Sequence, residues 1–432
     1  MTPTAIGIIG IVALFGLIFF RMPVGYLMAG IGMIGFASIV SFDAALSLMA
    51  RDVFSVFSSY SLTVIPLFVF MGQIAFHSGI STRLFDAAYK FVGHVPGGLA
   101  IATIGACAAF SAICGSTNAT AATMGAATLP EMKRYNYKPE LATGVVAAGG
   151  SLGILIPPSV VFIVYGILTE QSIGKLFIAG LLPGLLLMVL FTIAILIWTW
   201  LRPELGPAGE KASWGEKVRS LSGLVETLII FAVVMGGLFK GIFTPTEAGG
   251  IGAFATLVVA LIRRNLDWNG FVQALFETTR ITCMILVIVA GATIFSRFMA
   301  VTRIPYDIAG WITGFDLAPA VIMFFIILVY FVGGCFIDAL ALIMLTIPIF
   351  FPVVIELGYD PIWFGVVIVL VTQIGVITPP VGVNVYVVSG VARDVPLNTI
   401  FRGVIPLLIA MIIATLLLIP FPWIALYLPG LL

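Results

Sequence analysis

Two proline pairs, each set inside a run of apolar residues, constrain this chain more than any other feature. The first lies in GSLGILIPPS (150–159) and the second in GVITPPV (375–381). A proline in a helix interior removes an amide donor, and its ring collides with the carbonyl one turn back. Two in succession stop a helix. Yet the runs around them are apolar enough to lie within a membrane, and residues 5–20, 24–42, 176–200, 224–239 and 405–419 are long enough to span one. Of the 432 residues 61% are hydrophobic and 9% charged, against roughly a quarter charged in soluble domains, so nearly the whole chain belongs in lipid. The first run has no basic segment before it and no small-residue cleavage site after it, and reads as a span, not a removable signal.

Several function classes recede on the same grounds. A net charge of +1 argues against a nucleic-acid partner. Cys107, Cys114, Cys283 and Cys335 form no CxxC pair and read as small core residues. His77 and His94 are far apart and lack carboxylate or cysteine neighbours, which speaks against a metal centre. No phosphate-binding P-loop is present, and the ionisable list at membrane depth is too short for an intramembrane enzyme.

The breaks belong to a duplication. At an offset of 222 positions Pro157 and Pro158 fall on Pro379 and Pro380, and Gly153 falls on Gly375. Pro130, Tyr137 and Pro139 fall on Pro352, Tyr359 and Pro361; after one extra residue, Gly180 and Pro183 meet Gly403 and Pro406. Six matches at one offset, mostly Gly and Pro, make chance a poor explanation.

Charge orients the copies. EMKRYNYKPE (131–140) carries Lys133, Arg134 and Lys138, whereas its counterpart VVIELGYDPI carries Glu356 and Asp360 and no Lys or Arg. Basic loops stay cytoplasmic, so equivalent loops lie on opposite sides and the repeat is inverted. With the N-terminus outside, Arg21, Arg83, Lys90, Lys133, Arg134, Lys138, Arg202, Lys211, Lys217, Arg219, Arg263, Arg264, Arg393 and Arg402 fall inside, against Arg51, Lys175, Lys240 and Arg303 outside. This holds only if residues 97–129 and 318–351 are re-entrant hairpins. Residues 43–60 and 266–280 are semi-polar and read as arms lying along an interface ahead of a span. The expected architecture is an all-α polytopic membrane protein. Residues 1–95 form scaffold helices and an arm, 96–200 the first transport half, and 201–226 a cytoplasmic linker. Residues 227–316 form scaffold helices with the second arm, and 317–432 the second transport half and last helix.

Irregular backbone at membrane depth survives only when buried in protein or lining a wet cavity. The hairpin tips, FSAICGSTNATAAT (110–123) and VGGCFIDALAL (332–342), are therefore expected to meet the broken helices at the midplane. Helices that stop there present free carbonyls, and those that start there present free N–H groups. Carbonyls of the turn holding Gly153, Ile156 and Pro157, with Ser111, Ser116 and Thr117, supply hard oxygens without formal charge, which suits Na⁺. The second copy offers Gly375, Pro379, Thr372 and Thr378 with the loop at Gly334. Starting ends near Ser116, Asn118 and Thr120, and after Pro158 or Pro380 toward Asn384, suit the carboxylate of a substrate. Asp338 has three readings: Na⁺ ligand, proton relay or helix cap. Arg297 reads as a side chain snorkelling at the outer interface, with a substrate carboxylate as the alternative partner.

IPLFVFMG (65–72), VPGGLA (95–100), GSTNATAATMGAATLPEM (115–132), FIAGLLPG (177–184), FTPTEAGG (243–250) and GVITPPVG (375–382) together resemble the large membrane subunit of tripartite ATP-independent periplasmic (TRAP) transporters, the DctM/SiaM type. The resemblance covers essentially the whole chain. It departs at Cys114, where the family pattern commonly has serine, so that Cys114 joins the first Na⁺ set through its backbone carbonyl. It implies an elevator-type secondary transporter of the bacterial inner membrane, driven by Na⁺ and carrying an organic acid such as a C4-dicarboxylate or sialic acid. It also implies two partners, a small four-helix membrane subunit (DctQ/SiaQ type) and a periplasmic substrate-binding protein (DctP/SiaP type). A stand-alone Na⁺/dicarboxylate symporter and a passive channel are the rival transport readings.

Overall fold

A computed structural model describes residues 2–18, 22–209, 211–304 and 318–431. Arg21, counted above among the inner basic residues, lies outside them. Among the described residues the chain is helical with no strand.

The first copy begins with α1 (Pro3–Ile18), α2 (Val24–Ile39), α3 (Phe42–Phe57), α4 (Val64–His77) and the amphipathic α5 (Ile80–Val92). There follow α6 (Gly98–Cys114), α7 (Thr117–Arg134), α8 (Pro139–Gly150), α9 (Val160–Leu168) and α10 (Ile173–Leu201). The second copy supplies α11 (Trp214–Phe239), α12 (Pro245–Ile262), α13 (Trp268–Thr302), α14 (Pro319–Gly334), α15 (Ala339–Glu356), α16 (Pro361–Val376), α17 (Val383–Val391) and α18 (Leu397–Leu418). Helix α7 maps onto α15 at both ends with the 222-position offset, and their N-caps, Ser116 and Asp338, obey it too. The extra residue of the second copy sits at the break: α9 starts two residues after Pro158, and α17 three after Pro380.

The copies differ in one respect from expectation. In the first, Ser58 caps α3, Ser59 turns the chain extended, and α4 follows as a separate span. The segment 266–280 does not form a separate arm. From Trp268 it is the first part of the unbroken 35-residue α13, about 52 Å long at 1.5 Å per residue. Nothing in TTRIT (278–282) breaks a helix where the first copy has its two serines, so arm and span fuse.

Packing shows the inversion. Helix α18 crosses from one face to the other. Near its start the backbone of Gly403 lies against Glu140 and Gly144 of α8, and at its end Leu418 O accepts a 2.9 Å hydrogen bond from Trp363 Nε1 in α16. Since α8 and α16 are equivalent and begin at opposite ends of one crossing helix, the copies run upside down. Both ends of the first hairpin lie on one face: Gly97 N donates to Gly206 O (2.8 Å), Lys138 N to Leu205 O (3.0 Å) and Leu99 N to the Tyr137 hydroxyl oxygen (3.1 Å). That face gathers basic side chains, with Arg83 and Arg263 on Glu226, Lys90 on Glu216 and Lys133 on Asp394. Helix contacts cross between copies in matched pairs: α2 on α13 and α4 on α12, α8 on α18 and α16 on α10, α7 on α17 and α15 on α9. This is the pattern of a two-fold axis relating the halves.

Candidate functional site

Each break follows from its prolines. Helix α8 tightens into a 3₁₀ turn at Ser151–Ile154 and stops, because Pro157 and Pro158 lack the N–H groups that would serve the carbonyls of Gly153 and Ile154. The chain restarts at α9 under a Ser159 cap, whose Oγ accepts from Phe162 N at 3.3 Å. In the second copy Thr378 N closes on Gly375 O (2.9 Å), and α17 starts after Gly382 in the left-handed conformation (φ 62°). Both proline pairs are cis.

Tips and breaks meet as expected. A Cβ on Gly153 would stand 2.5 Å from Ser116 O and 2.8 Å from Thr120 Oγ1, so only glycine admits the first tip this close. Gly375 packs in the same way on the backbone of Gly334 and Cys335. Backbone bonds tie each tip down: Val160 N to Gly115 O (3.5 Å) and Val381 N to Cys335 O (3.3 Å).

Around the first meeting point the oxygens outnumber their partners. Ser116 O, Thr117 O and the hydroxyls of Thr120 and Ser151 crowd the 3₁₀ turn; the buried Ser151 hydroxyl has no hydrogen-bond partner, and the buried Thr120 hydroxyl has only the weakly bonding Cys114 thiol beside it. The amides of Asn118 and Asn384 each leave a buried oxygen unpaired as well. Buried polar groups are rarely left so, and a set of neutral oxygens fits a hard cation of low charge. Not every expected ligand points there. The Ser111 hydroxyl is engaged with Cys107 O (2.6 Å), and the Cys114 carbonyl packs 3.0 Å from where Gly72 of α4 would carry a Cβ. At the second meeting point the Thr372 carbonyl lies against Gly334, while the hydroxyls of Thr372 and Thr378 bond within α16, to Val369 O (2.8 Å) and Ile374 O (2.6 Å). Asp338 caps α15, its Oδ2 accepting from Leu340 N at 3.1 Å, and it faces the central cavity.

That cavity, of about 720 Å³, lies between both hairpin tips on one side and α2 and α13 on the other. Gly72, Gln73, Cys114 and Ala119 also line a second cavity of about 600 Å³, which extends along α7 and α4 past His77 and Glu277 toward the basic face. Of the substrate candidates, Ser116 and Asn118 line the central cavity. Thr120 is buried behind the tip, and Pro158 packs on Gly115. Asn384 is buried on α8, where its Nδ2 donates to Ala147 O at 3.0 Å. Pro379 and Pro380 are exposed, unlike buried Pro157 and Pro158, and do not reach the cavity. Arg297 is paired with the buried Asp52 of α3 at 3.5 Å and is not among the described residues lining the central cavity. Missed by sequence reading were Gln73, Ser151 and Gln373, single polar residues in apolar helices.

Inverted copies, paired re-entrant hairpins and two broken helices around one cavity define a polytopic membrane protein of transporter architecture. The solved structure of the Alcanivorax borkumensis YdaH transporter shares this fold, with a TM-score of 0.64 and 15% identity over 90% of this chain and 91% of that one. The profile described as "Tripartite ATP-independent periplasmic transporter, DctM component" matches residues 11–424, and the chain belongs to that family. It is 37% identical to the C4-dicarboxylate TRAP transporter large permease protein DctM of Pseudomonas aeruginosa, over 93% of each chain. It is 33% identical to the sialic acid large permease SiaM of Vibrio cholerae, over 96% of each. A third relative, the isethionate permease DctMQ of Oleidesulfovibrio alaskensis, is 35% identical over 94% of this chain, which spans 64% of that longer protein.

Proposed function

We propose that this chain carries an organic acid across the bacterial inner membrane with Na⁺ as the co-transported ion, as the large subunit of a tripartite transporter. The observation that carries the reading is the meeting of two hairpin tips and two broken helices at unpaired neutral oxygens beside one cavity. Ser116 O, Thr117 O, Thr120, Ser151 and the turn at Gly153 hold one cation. Gly334, the carbonyl of Thr372 and the turn at Gly375 and Thr378 hold another. The acid sits in the central cavity, where the N-terminus of α7 offers N–H donors under partial positive charge. Among the described lining residues the cavity has one charged side chain, Asp338, and no Lys or Arg. A bound anion therefore depends on the cations for neutralisation, which couples the two fluxes. The cavity opens to the basic, cytoplasmic face, the release side, and the hairpin–helix unit moves against α2, α4, α12 and α13 to reload, as an elevator. A separate four-helix subunit and a periplasmic receptor complete the assembly; one relative's DctMQ name joins both membrane parts in a single chain.

The test is uptake into inverted-gradient-controlled vesicles bearing the chain with its two partner subunits. A panel of succinate, N-acetylneuraminate, ectoine, 2,3-diketo-L-gulonate and isethionate covers the relatives' chemistry. Uptake of a panel member that collapses when Na⁺ is replaced by choline supports the proposal. Uptake indifferent to Na⁺ contradicts it, and full uptake without the receptor points to a stand-alone symporter.

A further inference from the structure

Gln373 is a buried polar residue at the wall of the central cavity. It lies in the last turn of α16, two residues before Gly375, with no exposed surface. Its carboxamide crosses from the second copy into the first, where Thr117 Oγ1 donates to Gln373 Oε1 at 3.0 Å. Its Nε2 is buried without an acceptor, and the residue borders the central cavity together with Asn118. An unmet donor at such a wall is costly, and it persists where a ligand supplies the missing acceptor.

The repeat shows that this arrangement is one-sided. The counterparts of Gln373 and Thr117 are Ser151 and Ala339, and that of Asn118 is Leu340. Ala339 has no hydroxyl and Ser151 is too short to reach across, so the second tip has no equivalent bond. At the capping position the asymmetry reverses: neutral Ser116 in the first copy, Asp338 in the second. The cavity is thus amide-bearing and uncharged at the first tip and acidic at the second. That asymmetry favours the first tip for an anion.

Resting on the function proposed above, we infer that Gln373 Nε2 donates to a carboxylate oxygen of the transported acid, holding it at the first hairpin tip. Thr117 fixes the carboxamide so that its nitrogen, not its oxygen, is left for the ligand. Asp338 repels the same carboxylate from the far wall, which gives the acid a single orientation.

The experiment measures uptake by the full assembly for the panel member that the unaltered protein carries best, with Gln373→Leu, Gln373→Asn and Gln373→Glu. Loss of a hydrogen bond to a charged group raises KM for the acid about tenfold or more in the Leu and Asn variants. The Glu variant, which places a carboxylate where the donor stood, is expected to be worse than either. At saturating acid, half-saturation by Na⁺ and the maximal rate stay within about twofold. If the Leu variant fails to reach the membrane, the neutral, polar Asn variant decides. A KM within about twofold of the unaltered protein in the Asn and Glu variants overturns the inference. So does a Na⁺ half-saturation, measured at saturating acid, that moves in step with KM, the mark of a merely structural role. Absence of any Na⁺-dependent uptake by the unaltered assembly instead overturns the functional reading beneath it.

Discussion

Gly153→Ala tests the contact between the first tip and the first break. The added Cβ would stand 2.5 Å from Ser116 O and 2.8 Å from Thr120 Oγ1, whereas ordinary contact begins at 3.4 Å, so the tip must retreat by about 0.9 Å. Overpacking of this kind costs about 1–3 kcal/mol of stability. For a cation held by Ser116 O and Thr120 the consequence is larger than the stability loss suggests, because ligand distances tolerate only about 0.2 Å. The expected outcome is a Na⁺ half-saturation raised about tenfold or more, equivalent to at least about 1.4 kcal/mol of cation binding. Uptake at graded Na⁺, with melting in Na⁺ and in choline, reads both effects. Gly144→Ala is the control: its Cβ would strike the backbone of Gly403 where α8 crosses α18, away from either tip. It should lower the melting temperature and leave Na⁺ half-saturation unchanged. If Gly153→Ala behaves like Gly144→Ala, the tip contact is packing only and the cation assignment is refuted.

Three further outcomes follow from named contacts. Glu226, only 15% exposed, joins Arg83 of α5 to Arg263 at the end of α12. Glu226→Gln should cost about 1–2 kcal/mol, seen as a lower melting temperature with KM for the acid unaltered. Cys283 is exposed and lines the central cavity, whereas Cys107 is buried. A membrane-impermeant maleimide should label Cys283 from the basic face in inverted vesicles and not from the other side; labelling of Cys107 instead would contradict the cavity's course. Lys133 donates a 2.6 Å hydrogen bond to Asp394 and holds that carboxyl below its ordinary value of 3.8. The tether's contribution is then fully present above that value and lost as pH falls through the lowered one. Melting curves of the unaltered protein and Lys133→Ala should differ at neutral pH and converge only as pH falls below 3.8 and through the lowered value; a difference that persists in stronger acid would sink the assignment.

Much of this architecture was legible because its signals are local. Proline pairs break helices wherever they stand, and Gly and Pro at a fixed offset survive as a visible register. The loop 131–140 and its acidic counterpart gave the inversion, which the opposed starts of α8 and α16 bear out. What stayed hidden depends on long-range packing. The bond from Thr117 to Gln373 spans 256 positions, and Asn384 reaches Ala147 across 237. Identical Pro-Pro motifs are buried in one copy and exposed in the other, a difference that the residues themselves do not encode. Arg297, read as a snorkelling side chain, has a buried carboxylate, Asp52, as neighbour, and no periodicity announces that pairing.

The proposed function requires that the tips and breaks of the upside-down copies hold cations and acid together in mid-membrane. Its most direct test is a cryo-electron microscopy map of the assembly with Na⁺ and the transported acid, set beside one in choline. Cation density is expected between Ser116 O, Thr120 and the Ser151–Ile154 turn, with acid density beside Asn118, both lost in choline. Density for the acid outside the central cavity, or a first tip that binds nothing while uptake proceeds, would contradict it.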